Sequence, residues 1–540
     1  MLNEFTTFRG NCHPMRTMSR FIVLFSCLLI GAAIYALQLR LDTDTLARTK
    51  PAAANEPEPM HPALAYWERQ LADAAARSEW RQAADLASRK AAYLRSVGEQ
   101  DSASAADELG RQYAARDSSG EAPAVFEPAG VELQAVAMEP YISVPAGESR
   151  PLAKFEPLSG VYLGMLGADK RVGFNMNNIE QVYGRRHAIY LSYVGWRKVQ
   201  SDPVSYFPLK TAETVKALGG ALQIGWEPRY GLDDVQDDEY VRTFAREAKA
   251  SGIPVFLRYA SEMNGGWVPW HGDPGKYIEK FRLIHNIMKE EAPNVAMVWS
   301  PNFMPMDNID EYYPGDEYVD WIGYSLYATG GPGEKADDKS GFLQSFQPLS
   351  GKFPGKPIMI SEGGVSHYNL ATNQSYERWA EGQLGDLYGY LTRMYPRVKA
   401  VTYFNFGKER ALRNKMEAVY DLGENPFADL LYKRSIQHDL YLSRVEPGAR
   451  TGENIAYILW SQAARTDGKR KLFTRISFPQ SKQPFAVGYY QAGKLLGMAY
   501  ELPWEIELDF AKLDPNRPLT IAAFGRSMEK LAETSVPLPK

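Results

Sequence analysis

Between Gly160 and about residue 440, short apolar runs alternate with helical patterns. The runs cover 161–166, 187–194, 221–226, 253–259, 295–300, 318–324, 357–361 and 398–404. Amphipathic stretches such as 237–251 and 274–290 separate them. Near-continuous apolar runs between helices predict parallel strands covered on both faces. Eight of them, within ~280 residues, predict an α/β fold of the (β/α)8 TIM barrel type over 156–442. A doubly wound sheet is the structural alternative. The number of runs, and the polar residues that follow most of them, favour the barrel.

After about residue 445 the period changes. Short alternating runs at 454–460, 471–478, 485–491, 495–500, 504–509 and 519–524, with a hairpin turn at 490–494, predict a C-terminal β-sandwich over 443–540. Ahead of the barrel, residues 62–116 carry an Ala-rich helical pattern of two or three helices. Ala63, Tyr66, Trp67, Leu71 and Ala74 space as one face, and Trp80, Ala84, Leu86, Ala87 and Tyr93 as another. The pattern is similar to one and a half tetratricopeptide-type hairpins, whereas such arrays need about three repeats to stand alone. This region is therefore read either as a spacer packed on the next domain or as a dock for a protein partner. Residues 117–155 read as an extended connector.

At the N-terminus, 21–39 is a run of 19 residues without a charge, preceded by Arg9, Arg16 and Arg20. That is long enough to cross a bilayer as a helix. Its length and its poor small-x-small site favour an uncleaved signal anchor over a cleaved signal peptide. Residues 1–20 would be a cytoplasmic tail and 40–61 a linker rich in Pro and Ala. The expected location is a bacterial inner membrane, single-pass, with the bulk of the chain in the periplasm or outside.

Composition narrows the function classes. The net charge of −4 gives no footprint for nucleic acid. Cysteine occurs only at 12 and 27, so no disulfide framework and no thiolate metal site exists beyond residue 27. No metal-ligand spacing stands out: Asp233, Asp234, Asp237 and Asp238 lack the glycine and closing glutamate of a calcium loop and read as a solvated helix start. No phosphate-cradling loop or Gly-x-Ser-x-Gly elbow occurs, and no cofactor is expected.

The chemistry sits at the ends of two apolar runs. The fourth ends in Arg258-Tyr-Ala-Ser-Glu262-Met-Asn264-Gly-Gly-Trp267-Val-Pro-Trp270, and the seventh in Ile360-Ser-Glu362-Gly. In a barrel, side chains at the C-terminal ends of strands converge on one face. Two carboxyl groups there, among aromatic side chains, fit an acid and a nucleophile acting on a glycosidic bond. Trp267 and Trp270 offer flat apolar faces for sugar rings, with an ordinary core role as the alternative. Trp226, Trp196, Asn302, Tyr324 and Tyr327 also stand at run ends and are candidate substrate contacts. His271, His367 and Asn405 read either as hydroxyl-binding groups or as satisfied loop residues. Glu227 is a third carboxylate in the same region.

These motifs resemble glycoside hydrolase family 26, a retaining β-glycanase family of (β/α)8 fold. Arg258, Glu262, Met263, Asn264, Gly265 and Trp267 match its first marker, and Ile360-Ser-Glu-Gly363 its second. Trp299-Ser-Pro-Asn302, Tyr313-Pro-Gly-Asp316 and Val319-Asp-Trp-Ile-Gly323 support the match, which covers roughly residues 155–410. The resemblance implies Glu262 as acid/base and Glu362 as nucleophile. Arg258 and Asn264, in the first marker, are candidate substrate contacts, and Arg258 is expected to help keep Glu362 ionised. One position departs from the pattern. Mannanases of the family usually carry His immediately before the acid/base, where this chain has Ser261, which weakens mannan as the expected substrate. The stretches 487–497, 502–504 and 518–523 resemble immunoglobulin-like modules appended to bacterial glycanases.

The expected function is thus a membrane-anchored retaining endo-β-glycanase acting on a polysaccharide, with a bacterial exopolysaccharide as one candidate. The alternative is a non-catalytic glycan-binding or scaffold protein.

Overall fold

The computed structural model describes residues 71–96, 100–117, 137–146, 150–199, 206–329, 341–446, 448–449, 451, 455–464, 467–478, 484–525 and 530–539. The 21–39 run and the 40–61 linker lie outside them. Among the described residues no helix is long and apolar enough to cross a membrane.

Strands form where the apolar runs stand. β1 is Ala137–Pro145, treated below. The barrel strands are β2 (Val161–Ala168), β3 (Ile189–Gly195), β4 (Ala221–Glu227), β5 (Val255–Tyr259), β6 (Val295–Trp299), β7 (Trp321–Ala328), β8 (Ile358–Val365) and β9 (Val398–Phe406). Each pairs in parallel with the next, and β9 pairs with β2, from Ala400 beside Tyr162 to Phe406 beside Ala168, so the sheet closes. Every residue of β5, β6 and β8 is buried, as strands covered on both faces must be. The intervening helices stop and start on local signals. Asp238 caps Glu239–Ser251 by accepting from Val241 N, and Gly252 ends that helix in the left-handed region. Asp273 caps Pro274–Glu291, with proline in its first turn.

Alternation along the strands sorts side chains into two populations. Tyr162, Ile189, Phe256, Trp321 and Met359 point into the barrel near its N-terminal end and plug it with an apolar cluster. Trp226, Trp299 and Tyr324 have the other parity and pack outward into the main core beneath the helices. Above the plug the interior turns polar. Thr402 Oγ1 donates to Gln223 Oε1 at 2.8 Å, and Gln223 Nε2 donates to the Ser361 carbonyl. The mouth is therefore polar and the base sealed.

Two four-stranded sheets follow the barrel. One has the order β10 (Ile455–Leu459), β1, β11 (Lys469–Ser477) and then Ile506–Asp509. The other has Lys494–Ala499, Ala486–Gln491, Leu519–Phe524 and Lys530–Val536. They share one core, and Thr474 Oγ1 lies 2.9 Å from Tyr489 OH across them. β1 corrects the reading of residues 117–155 as connector throughout: it is a central strand of the first sheet. Pro140 hides it, because proline argues against a central strand. Pro140 is tolerated because β10 pairs only with 141–145, so on that side the proline meets no partner strand. The sandwich thus closes on a strand supplied from before the barrel. It also joins the barrel core, with Trp504 Nε1 donating to Tyr390 OH at 2.8 Å.

The helices Trp80–Ser96 and Gln100–Ala114 are the described part of the 62–116 region, with residues 71–76 also helical. Leu71, Ala74, Ala83, Leu86, Ala87, Ala91 and Leu94 bury against Leu430 of the barrel's last helix and Phe485, Ala486 and Tyr500 of the sandwich. The described apolar face of this region packs on the rest of the chain, the arrangement expected of a spacer. Leu86→Ala should therefore lower the stability of the folded chain by about 2–5 kcal/mol. Chemical denaturation would measure it, and an unchanged unfolding free energy would show that this helical pair is not part of the cooperative core.

Candidate active site

The first carboxylate is placed by a bulge. On β8, Met359 points inward and Ile360 outward, so Ser361 should face in and Glu362 out. The register on β7 slips between Tyr324 and Ser325, and that on β9 between Val401 and Tyr403. The extra residue lets both Ser361 and Glu362 turn into the mouth. Ser361 Oγ lies 2.7 Å from Ser300 Oγ, and Glu362 stands beside Ser325 in register.

Three donors converge on Glu362. Arg258 Nη1 donates to Oε2 at 2.7 Å, the Tyr193 hydroxyl donates to the same oxygen, and the Tyr327 hydroxyl donates to Oε1. Burial, reinforced by the Glu362 charge, pushes both phenols well above their usual range, so they remain donors. Arg258 is 0% exposed. Its other nitrogens are also occupied, Nε by Ser300 Oγ at 3.2 Å and Nη2 by Ser325 Oγ at 3.0 Å. Tyr193 reaches Glu362 because its neighbour in register on β4 is Gly225. A Cβ there would stand 2.8 Å from the Tyr193 ring.

The second carboxylate sits on a strained loop. Ala260 and Glu262 both have positive φ, at 46° and 62°. The surrounding structure fixes this conformation residue by residue. Glu262 N donates to Ser300 O, Trp270 Nε1 to Ser261 O at 2.8 Å, and Asn308 Nδ2 to Asn264 O, while His271 Nδ1 lies 3.0 Å from Met263 O. Asn264 ties the loop to the next one, donating to the carbonyls of Asn302 and Pro305 and accepting from Asn302 N. Glu262 Oε2 accepts from Trp267 Nε1 at 2.8 Å. Burial first, and the Glu362 charge second, raise the Glu262 pKa. Hydrogen bonds from Ser325 and Trp267 and the Arg258 charge act the other way. The two glutamates thus feel each other, and the Arg258 charge acts on both.

Several expected substrate contacts take other places. Trp226 is 0% exposed, stacked on Phe244 at 3.8 Å and on Trp196 at 4.5 Å. Tyr324 is fully buried on the outer side of β7, against Phe346. Their odd-numbered neighbours Gly225 and Ser325 face the mouth instead, because consecutive strand residues point to opposite faces. Trp196, Trp270, Asn264 and Asn302 are buried, and the bonds above show the last three shaping loops. Arg258 touches Glu362, not an open surface. Asn405 also lies outside the mouth, bonded to Asp169 and Tyr183. Glu227 pairs with Arg229 at 2.7 Å. Three of the four aspartates of the acidic cluster take local partners, Asp238 as a cap, Asp237 on Arg242 and Asp233 on Lys276. Of the candidate aromatic contacts Trp267 is the most open, 58% exposed, and Tyr327 is half-buried on Glu362. Its indole lies over Gly265, where a Cβ would come within 2.2 Å. Sequence reasoning passed over Tyr193, Ser300 and Ser325. Parity could have found the tyrosine, since it shares a register level with Gly225 and Arg258.

A family model described as glycosyl hydrolase family 26 matches residues 236–378, the span that holds Arg258, Glu262 and Glu362. This part of the chain is similar to that family. Among curated relatives, endoglucanase H of Acetivibrio thermocellus is 28% identical over 371 residues, 65% of this chain and 36% of that protein. A β-1,3-xylanase, TXYA, from a Vibrio species is 27% identical over 161 residues, 28% of this chain and 33% of the relative. This chain spans about a third of the length of these two curated relatives. Among solved structures, a Cellulomonas fimi endo-β-1,4-mannanase double mutant aligns at 16% identity with a TM-score of 0.40, over 72% of this chain and 100% of that one.

Two outcomes follow for this site. Gly225→Ala should push the Tyr193 ring aside and lower kcat at least about tenfold, with little change in thermal stability; unaltered kcat would show that Tyr193 does not need its place. Trp267→Phe keeps a ring but removes the N–H that favours the Glu262 carboxylate. The Glu262 pKa should rise, and the alkaline limb of kcat/KM should move to higher pH. A limb that stays or moves down would contradict the assignment of that limb to Glu262.

Proposed function

We propose that the chain is a retaining endo-β-glycanase, with Glu362 as nucleophile and Glu262 as acid/base. One observation carries this reading: two carboxyl groups in electrostatic contact at the barrel mouth, in unlike surroundings. Glu362 is gripped by three donors and buried. Glu262 has a raised pKa and lies beside an exposed tryptophan. Such a split of environments separates an acid from a nucleophile.

In the first step a Glu362 oxygen attacks the anomeric carbon. The glycosidic C–O bond breaks, and the departing oxygen takes the Glu262 proton. Arg258, Tyr193 and Tyr327 hold the attacking carboxylate in one orientation. In the second step the Glu262 carboxylate takes a proton from water, and the water oxygen displaces Glu362 from the sugar with overall retention. Trp267 supplies a flat face at the rim. Ser261, at the position where the family's mannanases usually have histidine, favours a β-glycan other than mannan, and a bacterial exopolysaccharide is one such polymer. The uncharged 21–39 run supports an inner-membrane anchor with the barrel in the periplasm.

Glu362→Ala should lower turnover at least about a thousandfold on the true polymer. Reducing-end release over a panel of β-mannan, mixed-linkage glucan, xylan and exopolysaccharides would measure it. Activity near that of the parent enzyme would sink the assignment. NMR of the first product formed should show the substrate's own anomeric configuration, and inverted product would exclude the two-step route.

A further inference from the structure

One wall of the mouth leads away from Glu362 as a series of rings. Tyr327, bonded to Glu362, lies edge-on to Phe404 at 5.9 Å. Phe404 stacks on Phe406 at 5.0 Å with planes 13° apart. Both have the inward parity of β9, and Phe406, at the end of the strand, is only half-buried. Beyond it the chain turns at Gly407 into the short helix Lys408–Arg413. Two cations of that helix are held on aromatic faces. Lys408 Nζ lies 4.5 Å from the Tyr368 ring centre, and the Arg410 guanidinium 4.1 Å from that of Phe174.

Three properties of this corner point to a ligand. Neither Lys408 nor Arg410 pairs with a carboxylate among the described residues. Phe174 is 44% exposed and has φ of 57°, a rare conformation for a bulky side chain. A guanidinium stacked on a ring keeps its N–H edge free, and that edge matches the two oxygens of a carboxylate. The third cation-forming group of the corner, His367, is buried and held at about 4 by that burial and by the Lys408 charge, so it is neutral at pH 7. The positive charge belongs to the two stacked side chains.

We propose that Lys408 and Arg410 form a subsite for a carboxylate borne by the glycan, so that the enzyme acts on an anionic β-linked polysaccharide. The ring wall of Phe404 and Phe406 takes the apolar sugar faces, and the cations take the acidic substituent. A uronic acid and an acidic ketal present the same group. The inference rests on the glycanase reading of the same mouth, and it concerns which polymer enters.

The test uses the Glu262→Gln protein, which keeps the shape of a protonated Glu262 and leaves bound polymer intact. Its affinity is measured for a soluble neutral β-glucan and for that same polymer with its C6 positions oxidised to carboxylates. A ketal-bearing exopolysaccharide, before and after acid removal of the ketal, forms the second arm and distinguishes the two sources. The carboxylated form of at least one pair should bind about tenfold more tightly at low ionic strength, with the advantage shrinking in high salt. Lys408→Gln with Arg410→Gln should remove the advantage, whereas Lys494→Gln with Lys512→Gln, an equal change of two charges on the sandwich, should keep it. An advantage that survives the double substitution, or equal binding within both pairs, or no binding to any of them, overturns the proposal. Cleavage of the neutral polymers by the unsubstituted enzyme, followed in parallel, tests the glycanase reading separately.

Discussion

Everything at the barrel mouth is arranged around one buried ion pair. A fully buried guanidinium without a partner would cost several kcal/mol. Arg258 avoids that cost through Glu362 at 2.7 Å and two serine hydroxyls. The requirement runs both ways. Glu362 can be brought inside only because Arg258, Tyr193 and Tyr327 replace its water, and it reaches them only because β8 is bulged. Glu262 is then positioned against an existing negative charge, and its raised pKa is a consequence of that placement together with burial. The polar middle layer of Gln223, Thr402 and Ser361 supports this arrangement from below, and the apolar plug keeps water from the other end.

Much of the architecture was legible in the chain because parallel strands announce themselves by unbroken hydrophobic runs. Each of the eight barrel strands overlaps its expected run, and the carboxylates end two of them. Parity was not legible in the same way. Trp226 and Tyr324 end runs too, yet they face the helices, while Gly225, Ser325 and Tyr327 face the mouth. A run buried on both faces has no alternation of polarity from which to read direction. Arg258 could have set the phase, since a charged residue inside such a run must point toward its partner. The bulge at Glu362 defeats simple counting, because it places two successive residues on one side. β1 was missed for a different reason, the prolines at 140 and 145.

The loop holding Glu262 shows how positional accuracy is obtained without regular structure. Its backbone is in a conformation that costs free energy, and side chains from Trp270, His271 and Asn308 bind the carbonyls of 261, 263 and 264 in turn. Conserving shape in this way turns residues that looked like sugar contacts into scaffolding. Trp270 and Asn264 belong to that scaffold, and Trp267 is left as the aromatic open to solvent.

The strand donated to the sandwich by residues 137–145 has a topological effect. The polypeptide enters the sandwich, leaves to build the whole cylinder, and returns to finish the sheet it began. Removing everything after about residue 450 would strand a hydrophobic ribbon on the remaining fragment, and excising the cylinder alone would leave a gap in the middle of a sheet. Neither part is a cassette that can be cut out at a single hinge. During synthesis, the first segment must wait for some three hundred residues before its neighbours at 455–459 and 469–477 emerge.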